Sequence, residues 1–599
     1  MNNNFTSEID GRILYYAFLS GGKRILQNQS EINRINVFPV SDKDTGTNLA
    51  STVRSVIDNI KPNKSYKTTF NNIAEAALIG ARGNSGVIFA QFLYGVSRET
   101  KNKQLINFSD FVESIKKSIP YIYKAVSNPV EGTMLSVIKE WSEFLESKKN
   151  VADNFKNIFV ESLEILQKSL KDTTSKMKLL SKYNFVDAGA KGFVLFIEGI
   201  IDFIKKGNLR EIYTETSENI SIIHDDEIHE EKITYRYCTE AIVKNLKISN
   251  EELKNTLNNA GDSVVIAGSE SVCRLHVHTD KPSELFHKLK NYGTITFQKV
   301  DDMVRQYETA TNRKWKIALV TDSACDLSQE ILDFYQINSV PININFGDSH
   351  YLDKVTVQPE QFYDLLETSD DFPKTSQINE KAFTNIFSHL ASHYDEIIAI
   401  HLTGKFSGTY ESSLKAGKRI EKEFNKPVHV LDSKNLSGAL GLLVLKTAKA
   451  IEEGKTSAEI ISSFNSWREN AKIFVSVKDI KYMIKGGRVS KTKGLIAKLL
   501  GVNPIVSMDE KGNSQLFGKA FSYKSNMKKV INHIQKITEG KSVWNYIILH
   551  AHNIEDAENQ KLKMMKITGK EPVSVVDISP VIGMHAGIGT TAISILTEN

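Results

Sequence analysis

Cysteine is scarce. Three thiols in 599 residues cannot build a disulfide framework, which excludes the stapled secreted classes. Charge of one sign is lacking too: 76 Lys and Arg stand against 71 Asp and Glu, a net +5, too balanced for a dedicated nucleic-acid binder. No long apolar run goes uninterrupted. The richest, GFVLFIEGIIDFI, carries Glu198 and Asp202 and makes a poor membrane span. The start, MNNNFTSEIDG, has no charged-then-apolar pattern, so no secretory leader is expected. No short-period solenoid repeat is present. The expected home is a reducing cytoplasm, with no nucleic-acid partner and at most transient membrane contact.

What the chain does have is apolar content for ordinary cores, 41% against 25% charged, and length for roughly three to four domains. From about residue 8 to 206 the pattern is helical. TNLASTVRSVIDNI places Leu49, Val53, Val56, Ile57 and Ile60 on one face. The polar, acidic stretch TETSENISIIHDDEIHEE, which includes His224 and His229, reads as a solvated linker. Strands and helices then alternate, first in a short block and, after TNRKWK, in a long one that opens on IALVTDSACDL. The expected divisions are 1–207, 208–231, 232–312 and 313–599: helical domain, acidic linker, small α/β domain and large α/β domain.

The stretch NVFPVSDKDTGTN puts Asp42 and Asp44 beside Thr45, Thr47 and Asn48, just before a helix. Magnesium takes one or two carboxylates and completes its shell with phosphate and water. A helix start directs unsatisfied N–H groups at an anion. An N-cap cluster on a surface helix is the plainer alternative. A second stretch, LIGARGNSGVIFAQFLYG, spaces Gly80, Gly83 and Gly86 by three, with Asn84 and Ser85 between. It is neither a Walker A loop nor a GxGxxG fingerprint. Glycines there let a backbone approach phosphate closely, or simply let helices pack closely. PVEGTMLSVIKE and VDAGAKGFVLF are further glycine-containing turns into helices.

In this order NVFPVSDKDTGTN, GARGNSGV, PVEGT and VDAGAKG resemble the ATP-binding domain of the dihydroxyacetone kinase family, above all the version in the kinase subunit of bacterial fatty acid kinase. The resemblance implies an all-α, antiparallel helical barrel with ATP and magnesium at one end. Asp42 and Asp44, with Asn36 as a further candidate, would be magnesium ligands. Thr45, Asn48, Asn84, Ser85 and Thr133 would line the nucleotide. Ser41 and Lys43 stand where the family usually has proline and glycine.

In the short block, CRLHVHTD sets His276 and His278 on one face of a strand, with Cys238 on an earlier strand. A thiolate with two imidazoles suits zinc, although histidines so spaced are as often structural. The middle domain of the fatty acid kinase subunit carries a similar Cys and HVHT strand, which implies a zinc site at Cys238, His276 and His278. Cys273, at odd spacing from both histidines, is expected in the core.

The long block carries VTDSACDL, TSQ, FSGTYESS, LDSKNLSGALGLLV, MIKGGRVS and VIGMHAGIG, and resembles the DegV family of fatty-acid-binding proteins. That implies a two-lobed α/β domain that buries an acyl chain and presents its carboxylate at the mouth. Thr375, Ser407 and Thr409 would contact the head group or lie near it. Arg488 and His585 would stand near a transferred phosphoryl group. Without the resemblance, Ser407 and Thr409 read equally as helix caps, and KGGR as a turn. Asp322 and Ser323 are read as organising the first strand–helix turn.

The whole is a multidomain chain in which kinase and lipid carrier are fused. The expected reaction transfers the ATP γ-phosphoryl to a fatty acid carboxylate, giving acyl phosphate and ADP. A tether would raise the local concentration of the acceptor; pairing between protomers of a homodimer is the alternative arrangement. Two other functions remain open at this level: a non-catalytic acyl-binding sensor or carrier, and a kinase of a small hydroxyl or ketone substrate.

Overall fold

A computed structural model describes residues 7–37, 44–150, 154–206, 233–487 and 502–598. Asp42, Lys43, Arg488, and His224 and His229 of the acidic stretch lie outside the described residues. The chain divides into two compact units, Met1–Pro282 with Leu289–Val304, and Ser283–Lys288 with Arg305–Asn599.

In the first unit the helical text forms α1 (Gly11–Gln27), α2 (Gln29–Arg34), α3 (Thr45–Asn59), α4 (Tyr66–Gly80), α5 (Gly83–Glu99), α6 (Phe108–Ala125), α7 (Met134–Lys148), α8 (Phe155–Lys176), α9 (Lys178–Tyr183) and α10 (Ala188–Lys206). Side-chain caps set several starts. Asp10 accepts from the N–H groups of Arg12 and Ile13, and Asn107 accepts from Asp110 at 2.8 Å. The apolar face read along α3 packs inward, with Leu49, Val53 and Val56 buried. Edge-to-face aromatics fill the centre, Phe193 meeting both Phe92 and Trp141. The domain is not purely helical, because β1 (Glu8–Asp10) pairs antiparallel with β2 (Leu105–Asn107).

The same unit holds an antiparallel sheet in the order β4-β5-β3-β6: β3 (Tyr237–Lys244), β4 (Asp262–Gly268), β5 (Val272–Thr279) and β6 (Thr294–Asp302). Its register puts Cys238 opposite His278 and Glu240 opposite His276. Across β3 on the other side, Asp301 faces Cys238 and Lys299 faces Glu240. The sheet is built into the helical core: Val265 and Ala267 join that cluster, and the Gly268 N–H donates to Gln91 Oε1 at 2.8 Å.

The second unit has two main sheets. One is parallel, β13-β12-β7-β8, made of β7 (Ile317–Asp322), β8 (Asn338–Val340), β12 (Glu396–His401) and β13 (Val428–Asp432). The small antiparallel set β10-β9-β11 accompanies it, with β9 (Asn343–Phe346), β10 (Ser349–Leu352) and β11 (Lys374–Ser376). The other is mixed, β16-β15-β14-β19-β17-β18, from β14 (Ala471–Ser476), β15 (Asn503–Met508), β16 (Ser514–Ala520), β17 (Ser542–His550), β18 (Val575–Asp577) and β19 (Thr591–Glu598). The helix Ser437–Glu452 touches strands of both sheets, which is why it is apolar on nearly every face. No helix among the described residues is long and apolar enough to cross a membrane.

One buried acid has a measurable consequence. Asp353, just after β10, is fully buried, and burial pushes its carboxyl up to about 7 against a partial lowering by Lys354. The unfolded chain ionises this group near pH 4, so between roughly pH 4 and 7 the folded state holds the extra proton and loses stability as pH rises. Asp353→Asn is expected to flatten that dependence and to exceed the parent by on the order of 2–4 kcal/mol above pH 7. Denaturant unfolding of both proteins at several pH values checks it.

Candidate functional site

Several helices of the first unit start at one place. Thr45 Oγ1, at the start of α3, lies 3.4 Å from Ser85 Oγ in the first turn of α5. Gly189, in the first turn of α10, packs so closely on Ser85 that a Cβ there would touch its hydroxyl. Asp187 ties α10 to α7, its Oδ1 accepting from the N–H of Ala190 at 2.7 Å and of Met134 at 3.1 Å. Burial raises the Asp187 carboxyl to about 6, the two N–H groups working against that rise. The four glycine-containing motifs therefore meet at one end of the helices, where unsatisfied N–H groups and helix dipoles favour an anion.

The expected nucleotide residues fall here, and their roles remain proposals. Asn48 is buried and its amide presses on Gly83. Gly83 has φ +55°, a conformation that a side chain would strain, beside an amide that leaves no room for a Cβ. Asn84 Oδ1 is buried with no hydrogen-bond partner among the described residues. Thr133 stands at the N-cap of α7, its hydroxyl donating to Val130 O at 2.8 Å. Asp44 is half-buried at the N-cap of α3, and Asn36 is buried a few residues earlier. Hydroxyls, an orphaned amide oxygen and helix N–H groups form a donor set that fits phosphate. Asp44 and Asn36 are oxygen ligands of the kind a hard cation takes.

Cys238, His276 and His278 come together on the sheet face that alternation along the strands predicts, with their ligand atoms all within 4.8 Å of one another. Cys238 Sγ is 3.8 Å from His276 Nδ1. Burial, together with His276, lowers His278 to about 3, so its ring is neutral as a ligand must be. His276 Nε2 is buried without a hydrogen-bond partner among the described residues. This thiol–imidazole set fits zinc. Burial and then the Glu240, Asp301 and Asp44 carboxylates raise the Cys238 thiol, which places the candidate magnesium acid near the cluster. Cys273 is in the core.

Glu240 was not singled out by the sequence, although it follows Cys238 by two and so shares its strand face. Its Oε2 accepts from Arg274 Nη2 at 2.6 Å, with both side chains buried. Burial alone would raise the carboxyl, but the Arg274 guanidinium overrides it and holds the group well below the usual range. Asp187 was equally unassigned. An acid before a helix start reads as an N-cap, but its bond to α7 joins residues 53 apart.

In the second unit a cavity of about 270 Å³ is lined by Thr375, Gln377, Ser407 and His585 among others. It shares Phe406, Ile582 and His585 with an adjoining pocket whose other walls include Ile473, Val475 and Met483. Thr409 is buried behind the cavity. Its hydroxyl lies 2.8 Å from Ser407 Oγ and accepts from the Ile378 N–H at 3.4 Å, so it backs the lining. Gln377, within the TSQ motif but unassigned, crowds Gly408. Asp322 accepts from the Leu402 N–H at 2.9 Å and faces His401, whose other nitrogen meets Ser413 at 2.8 Å. That buried chain fixes the loop carrying Phe406 and Ser407. Gly486 packs directly on the His585 ring, where any Cβ would collide.

Three family models match the chain in sequence: the DAK2 domain over residues 39–202, the FakA-like middle domain, a fatty acid kinase module, over 234–310, and the DegV family over 316–598. Proteins of Staphylococcus epidermidis, Staphylococcus saprophyticus and Staphylococcus aureus, themselves described as uncharacterized, are each 30% identical over 319 residues, 51% of this chain and 58% of theirs. This chain therefore spans little more than half the length of those relatives. Among solved structures, a DegV described as a fatty acid binding protein from Bacillus subtilis is 25% identical with a TM-score of 0.44, covering 48% of this chain and 100% of its own. A DegV family protein from Thermus thermophilus, described for its fatty acid binding, is 23% identical with a TM-score of 0.44, covering 47% and 100%. The chain thus joins in one polypeptide a DAK2 domain, a FakA-like middle domain and a DegV-family domain.

Proposed function

We propose that the chain is a fatty acid kinase that phosphorylates a fatty acid held by its own DegV-family domain. One observation carries the reading: the hydroxyl-lined cavity at Thr375 and Ser407 continues, through Phe406, Ile582 and His585, into an apolar pocket, and the same polypeptide carries kinase-family domains. An acyl chain gains roughly 0.8 kcal/mol per buried methylene, so apolar walls supply affinity while a few hydroxyls fix the carboxylate.

The acceptor needs no strong base, because a carboxylic acid with a pKa of roughly 4 is already ionised at neutral pH. A carboxylate oxygen forms a bond to the γ-phosphorus, the bond to the β–γ bridging oxygen breaks, and ADP leaves with that electron pair. The helix N-termini around Thr45, Asn84 and Ser85 hold the phosphates. His585, kept in place by Gly486, and Arg488 stabilise the transferring group. Asp42, Asp44 and Asn36 would hold magnesium, which when bound neutralises phosphate charge. Cys238, His276 and His278 would hold zinc, as a structural or charge-stabilising ion.

Incubation with Mg-ATP and oleate, with acyl phosphate trapped as hydroxamate, is expected to give oleate-dependent product that is lost in Asp42→Ala/Asp44→Ala. Oleate binding without product would instead favour a fatty-acid-binding carrier or sensor. Ser407→Ala is expected to weaken oleate binding about tenfold, the worth of a hydrogen bond to a charged group, as read by calorimetry. Cys238→Ser is expected to reduce bound metal from about one zinc per chain to a small fraction, measured by elemental analysis.

A further inference from the structure

The turn between α4 and α5 carries Asn84 and Ser85 into the nucleotide end of the helical domain, yet nothing local fixes it. Arg82, the N-cap of α5, makes no side-chain cap. The turn is held from the sheet instead. The Gly83 N–H donates to Glu240 Oε1 at 2.6 Å, a contact between residues 157 apart. On the other side of the turn, Arg274 Nη1 reaches the carbonyl of Ile79, in the last turn of α4, at 3.4 Å. Glu240 and Arg274 are joined to each other at 2.6 Å and are 2% and 1% exposed. Each end of the pair suits the helix end it meets, the anion at the N-terminus of α5 and the cation at the C-terminus of α4. Glu240 Oε1 also lies 3.8 Å from His276 Nδ1.

We propose that Glu240, gripped by Arg274, is a positioning residue for nucleotide binding: the sheet domain sets the geometry of the phosphate-facing turn Gly83–Ser85. The inference rests on the nucleotide reading of Thr45, Asn84 and Ser85. A buried pair is costly to break on one side, because the remaining charge is left uncompensated. A single substitution would therefore confuse folding with positioning, and two double variants avoid this. Glu240→Gln/Arg274→Met removes both charges but keeps an acceptor for the Gly83 N–H. Glu240→Leu/Arg274→Met removes the charges and the acceptor together.

The full chain and both variants, brought to equal zinc content, are compared in Mg-ADP affinity by calorimetry and in amide hydrogen exchange at Gly83–Ser85 without nucleotide. The Gln variant is expected to stay within about threefold of the parent in both readouts, and the Leu variant to lose about tenfold or more in affinity with correspondingly faster exchange at the turn alone. Equal affinities and equal exchange in the two double variants would overturn the proposal. If the parent itself binds no nucleotide, the kinase reading fails on that result, and the exchange comparison still decides whether Glu240 holds the turn.

Discussion

A helix start leaves backbone N–H groups without partners and carries a partial positive charge. The helical domain gathers several such starts in one place, and the rest of the first unit is arranged around that constraint. Like partial charges repel, and orphaned donors are costly when buried, so the assembly needs fixed negative groups and a negative ligand. Buried carboxylates supply the first part. Asp187 bridges the starts of α7 and α10, and Glu240 takes the first N–H of α5. What remains open between Thr45, Asn84 and Ser85 is a place whose chemistry asks for phosphate.

The same need explains why the sheet domain belongs to the helical one. A strand alternates its side chains, so β3 presents Cys238 and Glu240 on one face. The register adds His278 and His276 from β5, and Asp301 and Lys299 from β6. Thiol, imidazoles and acids crowd together there, and such a face is stable only if its groups are paired. Arg274 pairs with Glu240 and Lys299 pairs with Asp301. Cys238, His276 and His278 converge as a ligand set. Nucleotide turn and ligand cluster thus share one carboxylate.

In the second unit, polar and apolar walls are separated by origin. The hydroxyls come from the loop after β12 and from β11, while the apolar side chains come from β14, β15 and neighbouring segments. His585 lies where the two meet. The close approach of Gly486 to its ring accounts for a small residue in the GGR turn better than turn geometry alone does.

Much of this was legible in the residues. Periodicity gave the helices, alternation placed Cys238, His276 and His278 on one face, and ordered motifs carried the family resemblances, because each of these signals is local or nearly so. The β1–β2 pair in a helical domain, the withdrawal of Thr409 behind Ser407, and the parts played by Asp187, Gln377 and Gly486 were not legible. Each depends on contacts between residues far apart in the chain. The sequence by itself determined which chemistry is present, since hydroxyl, amide, thiol, imidazole and carboxylate are fixed residue by residue. Only the tertiary structure decided which of these groups meet. Glu240 closes on Gly83 across 157 residues through strand register and helix packing, which no local pattern encodes.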